Sequence, residues 1–132
     1  MAYTPKRGNS MPVPVEPAVI PVYVKAADTE ILISIPWTNC QLVHMEGCFK
    51  TAEATDVGTI DAELNAAGGT VMMSLAVSAT QTAGSVAEAT VSDAAAMKRL
   101  DRSSDDRGAI NLAMAGSAAD YDCIIYMYFE RN

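Results

Sequence analysis

The stretch DCIIYMYFE, residues 122–130, decides the fold class of this 132-residue chain. It contains the longest uninterrupted apolar run, CIIYMYF, with apolar side chains at odd and even positions alike. A strand with one face in solvent alternates apolar and polar side chains, so this pattern predicts a strand at the centre of a sheet. The run is far shorter than the ~20 residues of a membrane-spanning helix. We therefore expect no membrane partner.

Other stretches alternate in the way that predicts half-buried strands. Their expected core-facing residues are Ile31, Ile33 and Ile35, then Ile60, Ala62 and Leu64, then Val71, Met73, Leu75 and Val77, and finally Ile110, Leu112 and Met114. The turn signals NAAGG at 65–69 and GSAAD at 116–120 indicate that consecutive strands pair antiparallel. The sequence predicts an all-β protein, an antiparallel β-sandwich of jelly-roll or immunoglobulin-like topology. At most one short helix is expected, within residues 92–100, where Ser92 would cap it; a loop is the alternative.

The start of the chain is rich in proline. All six prolines lie within residues 1–36, and four of them stand in MPVPVEPAVIPVYV, residues 11–24. Because proline lacks an amide donor, the pattern predicts an extended arm over residues 1–16, followed by a β-sandwich domain over residues 17–132. In polyproline geometry, at ~3.1 Å per residue, the arm reaches on the order of 50 Å. Residues 17–24 are explained equally well as an edge strand that covers the sandwich.

Charge and apolar character suggest what the arm does. Residues 1–15 carry basic side chains and no acid, whereas residues 51–97 carry acids and no Lys or Arg before residue 98. An apolar, donor-poor, basic segment is suited to docking in a groove or along a sheet edge of a partner. The residues predicted to make this contact are Tyr3, Lys6, Arg7, Met11, Val13 and Val15.

Composition narrows the class of partner and the compartment. The net charge of −7 argues against nucleic acid, whose phosphates would be repelled. The cysteines at 40, 48 and 123 are odd in number and lack a disulfide-framework spacing, and no apolar signal region follows Lys6 and Arg7. We expect free thiols in a protein made in a reducing cytoplasm.

His44 is the single histidine, so any catalytic or metal site that needs an imidazole must use it. Cys40, His44 and Cys48 form C-x₃-H-x₃-C, but four strand residues advance ~13 Å, so three side chains on one face cannot converge on one metal ion. A turn at Gly47 would bring back only Cys48. No metal and no cofactor are expected, and no hydrolase or nucleotide-binding motif occurs, so we expect no enzyme.

Three further features have two interpretations each. Asp61 and Glu63 lie two apart on an outward strand face, where they could bind a cation but more often keep a sheet soluble. Trp37, in the turn IPWTN, is either a half-buried plug under the sandwich or an interface anchor. Met72 is expected to point away from Met73 and to contact another chain. Trp37 and Met72 are thus the candidate residues of an oligomer interface.

The order of these elements resembles that of the small β-sandwich decoration, or cement, proteins of tailed-bacteriophage capsids. The resemblance covers roughly residues 25–131, and its matching pieces are residues 83–86 (AGSV), 92–94 (SDA), 108–114 and 126–131. It implies a structural virion protein that binds the outer capsid surface and clamps neighbouring major capsid subunits, as a homo-oligomer, with a trimer favoured and a dimer possible. It carries over no catalytic residue. The charged loop at 98–107 departs from the family pattern.

Two other classes remain open. One is a glycan- or receptor-binding β-sandwich of a phage fibre or similar adhesin, although eight aromatic residues offer few platforms for stacking against sugars. The other is a small enzyme, for which the only recognisable base is His44.

Overall fold

A computed structural model of the protein describes residues 18–25, 27–50, 58–78, 82–97, 99–116 and 122–131. The arm predicted over residues 1–16, with its six expected contact residues, lies outside these ranges. The elements of the described part are β1 (Ala18–Val24), β2 (Glu30–Ser34), β3 (Cys40–Phe49), β4 (Gly58–Leu64), β5 (Val71–Val77), β6 (Val86–Glu88), β7 (Thr90–Val91), a 3₁₀ helix (Ala94–Ala96), β8 (Ala109–Gly116) and β9 (Cys123–Arg131). Within these ranges, the prediction of an all-β fold with at most one short helix is confirmed.

The strands form two antiparallel sheets that pack face to face. The first sheet has the order β1-β9-β3-β6, and the second has the order β2-β8-β4-β5-β7. The pairs β1 with β9, β2 with β8, β3 with β6 and β4 with β5 are nested inside one another along the chain. Nested antiparallel pairs split across two sheets make a jelly roll, so the first of the two expected topologies is the one adopted.

The expectation of consecutive pairing holds for only one of the two turn signals. NAAGG joins β4 to β5, and Asn65 and Gly68 take the positive φ values, 72° and 80°, that such a tight turn requires. The prediction was wrong for GSAAD. β8 is already paired with β2 and β4, and β9 with β1 and β3, so the chain crosses from one sheet to the other between them.

The core lies between the two sheets and is filled by aliphatic, methionine and phenylalanine side chains. β9 occupies the centre of the first sheet, as its apolar pattern predicts, with Cys123, Ile125, Met127 and Phe129 facing inward. The expected core residues Met73, Met114 and Met127 are also buried. Gly47 lies in the middle of β3 rather than in a turn, and a Cβ there would stand 3.0 Å from Cδ1 of Ile125 on the neighbouring strand and 3.3 Å from Cδ1 of Leu75 in the opposite sheet. Glycine at this position lets the sheets approach closely.

Within the described strands, each sheet has one β-bulge, and the bulges change which side chains face inward. In β3 the pairing with β9 slips between Leu42 and His44, and in β5 the pairing with β4 slips opposite Ala62. A bulge places two consecutive side chains on one side of a strand. Met72 is therefore buried beside Met73, with no exposed surface, and the expectation that it contacts another chain was wrong.

The short helix within residues 92–100 is a single 3₁₀ turn. Its N-cap is Asp93 rather than Ser92, and the Asp93 carboxylate accepts a hydrogen bond of 2.9 Å from the amide of Ala95. The Ser92 amide donates instead to the carbonyl of Met72 in β5. Ser92 thus continues the contact with β5 and lies one residue before the N-cap.

Residues 18–24 form an edge strand, which confirms that interpretation of the region after the arm. β1 pairs with β9 over its whole length, from Ala18 opposite Phe129 to Val24 opposite Cys123. Pro21 is accommodated because an edge strand has one side on which no ladder partner is needed. The arm therefore precedes the sheet at the end where Ala18 and Phe129 lie.

Candidate functional site

The outer face of the first sheet is apolar and aromatic, although it points away from the core. Cross-strand register arranges its side chains in three rows that run across the sheet. The first row contains Val19, Tyr128 and His44; the second Pro21, Tyr126, Glu46 and Glu88; and the third Tyr23, Ile124, Cys48 and Val86. We call these residues, together with Val43, the tyrosine face.

Several of its apolar side chains are well exposed. Tyr23 is 70% exposed, Val86 56%, Val19 43% and Val43 40%. Within the described part of the chain, no further strand or helix packs over this face. Isolated exposed apolar side chains are ordinary, but a contiguous patch of them marks an interaction surface. The tyrosine face is therefore the candidate site.

The bulge in β3 shapes one corner of the face. Because the register slips at Val43, both Val43 and His44 point outward, whereas Leu42 and Met45 point into the core. In a regular strand, residues an even number of positions apart lie on the same side, so without the extra residue His44 and Cys48 would lie on the same side of β3 as Cys40. Cys40 is instead buried in the core, so the expectation that Cys40, His44 and Cys48 share a face was wrong.

A polar trio lies inside the apolar surface. His44 Nε2 stands 3.1 Å from Oε1 of Glu46, and the Tyr128 hydroxyl donates to Oε2 of the same carboxylate at 3.3 Å. The rings of His44 and Tyr128 are 5.3 Å apart and tilted. Partial desolvation, followed by the nearby Glu46 carboxylate, raises the pKa of the Tyr128 hydroxyl. These contacts fix the orientation of Tyr128 on the face.

A cleft opens at the far end of the face from the arm. It has a volume of about 660 Å³ and a mostly apolar lining that includes Tyr23, Cys48, Cys123 and Ile124. Lys25 and Lys50 stand at its rim. Burial raises the pKa of the Cys123 thiol to about 12, so this sulfur stays protonated and is a poor nucleophile.

Trp37 lies at the opposite end, near the start of β1. Its ring packs on Phe129 with centroids 5.3 Å apart, and the Arg131 guanidinium lies over it at 5.4 Å. These contacts are those of the half-buried plug that the sequence allowed. Whether Trp37 also anchors an interface stays a prediction.

The charged loop is fastened to the turn that carries Trp37. The Arg102 amide donates to the carbonyl of Trp37 at 3.2 Å, and Nη1 of Arg102 donates to the carbonyl of Pro36 at 3.1 Å. Arg99 donates to the side-chain oxygen of Asn39 at 2.7 Å. The loop thus stabilises its own sandwich at this end. Two hydrogen bonds from Ser103, one from its amide and one from its hydroxyl, lower the pKa of Asp101.

The outward carboxylates of β4 are bound within the sheet. Glu63 accepts from Nδ2 of Asn111 at 2.9 Å and from the amide of Gly68 at 3.1 Å, while Asp61 accepts from the Ser74 hydroxyl at 2.5 Å. Among the described residues, no group of three or more His, Cys, Asp or Glu is placed to hold a metal ion.

The tyrosine face was not among the sites predicted from the sequence. The signal for it is present in β9, where Ile124, Tyr126 and Tyr128 alternate with the core-facing residues. Both faces of the strand are apolar, but one of them is covered by the second sheet and the other is not.

Comparison with known proteins finds no matching sequence and a weak structural similarity. No protein-family model and no curated protein matches the chain. Among solved structures, the chain is similar to one chain of the structure of the infectious bursal disease virus Gx strain, with 15% identity and a TM-score of 0.29. The match covers 87% of this chain and 36% of that one. No helix in the described ranges is both long and apolar enough to cross a membrane.

Proposed function

We propose that this protein is a capsid decoration protein that binds the outer surface of a tailed-phage shell and clamps neighbouring major capsid subunits. The observation that carries the proposal is the tyrosine face, an apolar surface on a sandwich whose core is already filled from its other side. A virion structural protein needs apolar surface through which it joins its neighbours, whether these are copies of itself or shell subunits, and jelly rolls are common among viral capsid domains.

The arm supplies a second contact surface. It precedes Ala18, so its point of attachment is the edge of the same sheet. Proline lowers the cost of ordering such a segment, because its backbone is already restricted when free. We assign the shell contact to Tyr3, Lys6 and Arg7 in the distal half, and further partner contacts to Met11, Val13 and Val15.

Co-sedimentation with phage shells that lack decoration tests this proposal. The purified chain should bind saturably, and the double variant Lys6→Glu with Arg7→Glu should bind at least tenfold more weakly. The matched control is Lys25→Glu with Lys50→Glu, which changes the charge equally at exposed positions at the other end of the sandwich. Absence of binding by the unaltered chain would overturn the proposal.

A glycan- or receptor-binding module is the second candidate. The observation that favours it is the set of three tyrosines on one sheet face, since aromatic rings are platforms on which sugars stack and jelly rolls also occur in lectins. A glycan array probed with the purified chain separates the two. Binding that disappears in a Tyr23→Ser, Tyr126→Ser double variant would favour this candidate over a capsid clamp.

A further inference from the structure

The dimensions of the tyrosine face match an extended segment better than a second flat surface. Neighbouring strands lie about 4.8 Å apart, so the four strands of the first sheet span roughly 14 Å. The three rows are two residues apart along each strand and span roughly 13 Å. A patch of this size is well below the ~800 Å² per partner that a stable interface between two bodies buries.

The chemistry of the face fits a proline-rich segment. Tyr128 and Tyr126 follow each other down β9, and Tyr23 stands one row further on the neighbouring β1. Successive tyrosines are therefore one row apart, which is about 6.6 Å along the strand direction, and Pro21 lies next to Tyr126 in the middle row. Grooves lined by aromatic side chains are the surfaces that bind extended proline-rich chains, because the ligand is already rigid and apolar.

This chain contains such a segment outside the described residues. Residues 11–17 read MPVPVEP, with three prolines and three apolar residues among seven. At ~3.1 Å per residue, seven residues span roughly 22 Å, which is enough to cross the face along its diagonal. The segment directly precedes Ala18, so its point of attachment is the edge of the first sheet.

The prolines indicate whether residues 11–17 contact the tyrosine face of their own copy or that of a neighbouring copy. To lie on its own face, the chain would have to reverse direction immediately before Ala18. Proline fixes its own φ and favours an extended conformation in the residue before it, and positions 12, 14 and 17 are all proline. We therefore expect the segment to continue away from the body in the direction of β1 rather than to reverse.

We infer that residues 11–17 of one copy lie across the tyrosine face of a neighbouring copy. In a closed assembly each arm occupies the next face, so that no face is left open. Residues 1–10, with Lys6 and Arg7, extend beyond the occupied face and remain available for the shell. The inference goes beyond the proposed function, because it concerns the protein alone and is tested without shells.

The test uses two variants of the full chain and a control. The arm variant is Val13→Asp with Val15→Asp, and the face variant is Tyr23→Ser with Tyr126→Ser. The control is Leu32→Ser with Val91→Ser, which removes apolar side chains 64% and 53% exposed on the second sheet. Analytical ultracentrifugation should find the unaltered chain and the control associated and each variant monomeric. An equimolar mixture of the two variants should form a 1:1 pair, since the face variant supplies one intact arm and the arm variant one intact face.

Other results would overturn the inference. A monomeric unaltered chain, or variants that associate as it does, would exclude the contact. If the face variant alone became monomeric, two faces would meet directly. If the mixture formed no pair, the arm of one copy would not contact the face of another.

A second measurement guards against a face variant that fails to fold. The peptide of residues 11–17 is added to the arm variant, and tyrosine ring signals are followed by NMR. The signals of Tyr23, Tyr126 and Tyr128 should shift saturably, whereas those of Tyr3 and Tyr121 should not. Signals that do not move at millimolar peptide would overturn the inference.

Discussion

Glu46 of β3 and Glu88 of β6 lie directly opposite each other on the tyrosine face. Like charges in this position repel, and only Glu46 has the Tyr128 hydroxyl and His44 as described partners. Glu88→Gln should therefore raise the free energy of unfolding by about 0.2–1 kcal/mol in low salt. Chemical denaturation at two salt concentrations checks this. A gain that does not shrink in high salt would mean that repulsion is not its cause.

Asn111 is the described polar residue buried most completely, on the outer side of β8, and its amide donates to Glu63. Asn111→Ala should lower the free energy of unfolding by about 1.5–3 kcal/mol, the range for a lost hydrogen bond to a charged group. Ser74→Ala, which removes the equivalent donor to Asp61, is the comparison. Denaturant unfolding measures both, and a neutral Asn111→Ala would show that water replaces the bond.

Trp37→Ala removes a ring pair with Phe129, and its effect distinguishes the two interpretations of Trp37. As a plug, Trp37 should contribute at least about 1 kcal/mol to the stability of its own copy, since ring pairs alone are worth about 0.5–1.5 kcal/mol. The expected loss is the same at low and high protein concentration. A loss that grows on dilution would instead place Trp37 in an oligomer interface.

The raised pKa of Cys123 predicts how stability changes in alkali. In the unfolded chain this thiol ionises near its ordinary pKa of 9.0, whereas in the folded protein its pKa is about 12. Between these values the unfolded state has lost the proton and the folded state has kept it, so stability falls as pH rises from 9 to 12. Cys123→Ala should show a shallower fall than the unaltered chain in pH-dependent unfolding. Parallel curves for the two would contradict the assignment.

The strands could be predicted from the sequence because a strand buried on one side has an apolar residue at every second position. Alternation located the strands that contain Ile60, Leu75 and Leu112, and the doubly apolar β9 was correctly expected at the centre of a sheet. The pairing of strands was harder to predict, because the nested order of a jelly roll comes from contacts between distant segments.

The errors at Met72 and at Cys40 share one physical cause. A β-bulge inserts one residue and reverses the facing of every side chain beyond it, and nothing in the local pattern near Val43 or Met72 marks the insertion. The tyrosine face escaped notice for a different reason. An apolar side chain on a central strand is assigned to the core from sequence, because the sequence does not show whether a second layer covers that side of the sheet.

The most direct test of the decoration proposal is electron cryomicroscopy of undecorated phage shells incubated with this protein. We predict extra density on the outer surface, large enough for a jelly roll and lying between neighbouring capsid subunits. A thinner segment of density should connect it to the shell near the end of the sandwich that carries Ala18 and Trp37. Shells with no added density, or with density only on their inner surface, would contradict the proposal.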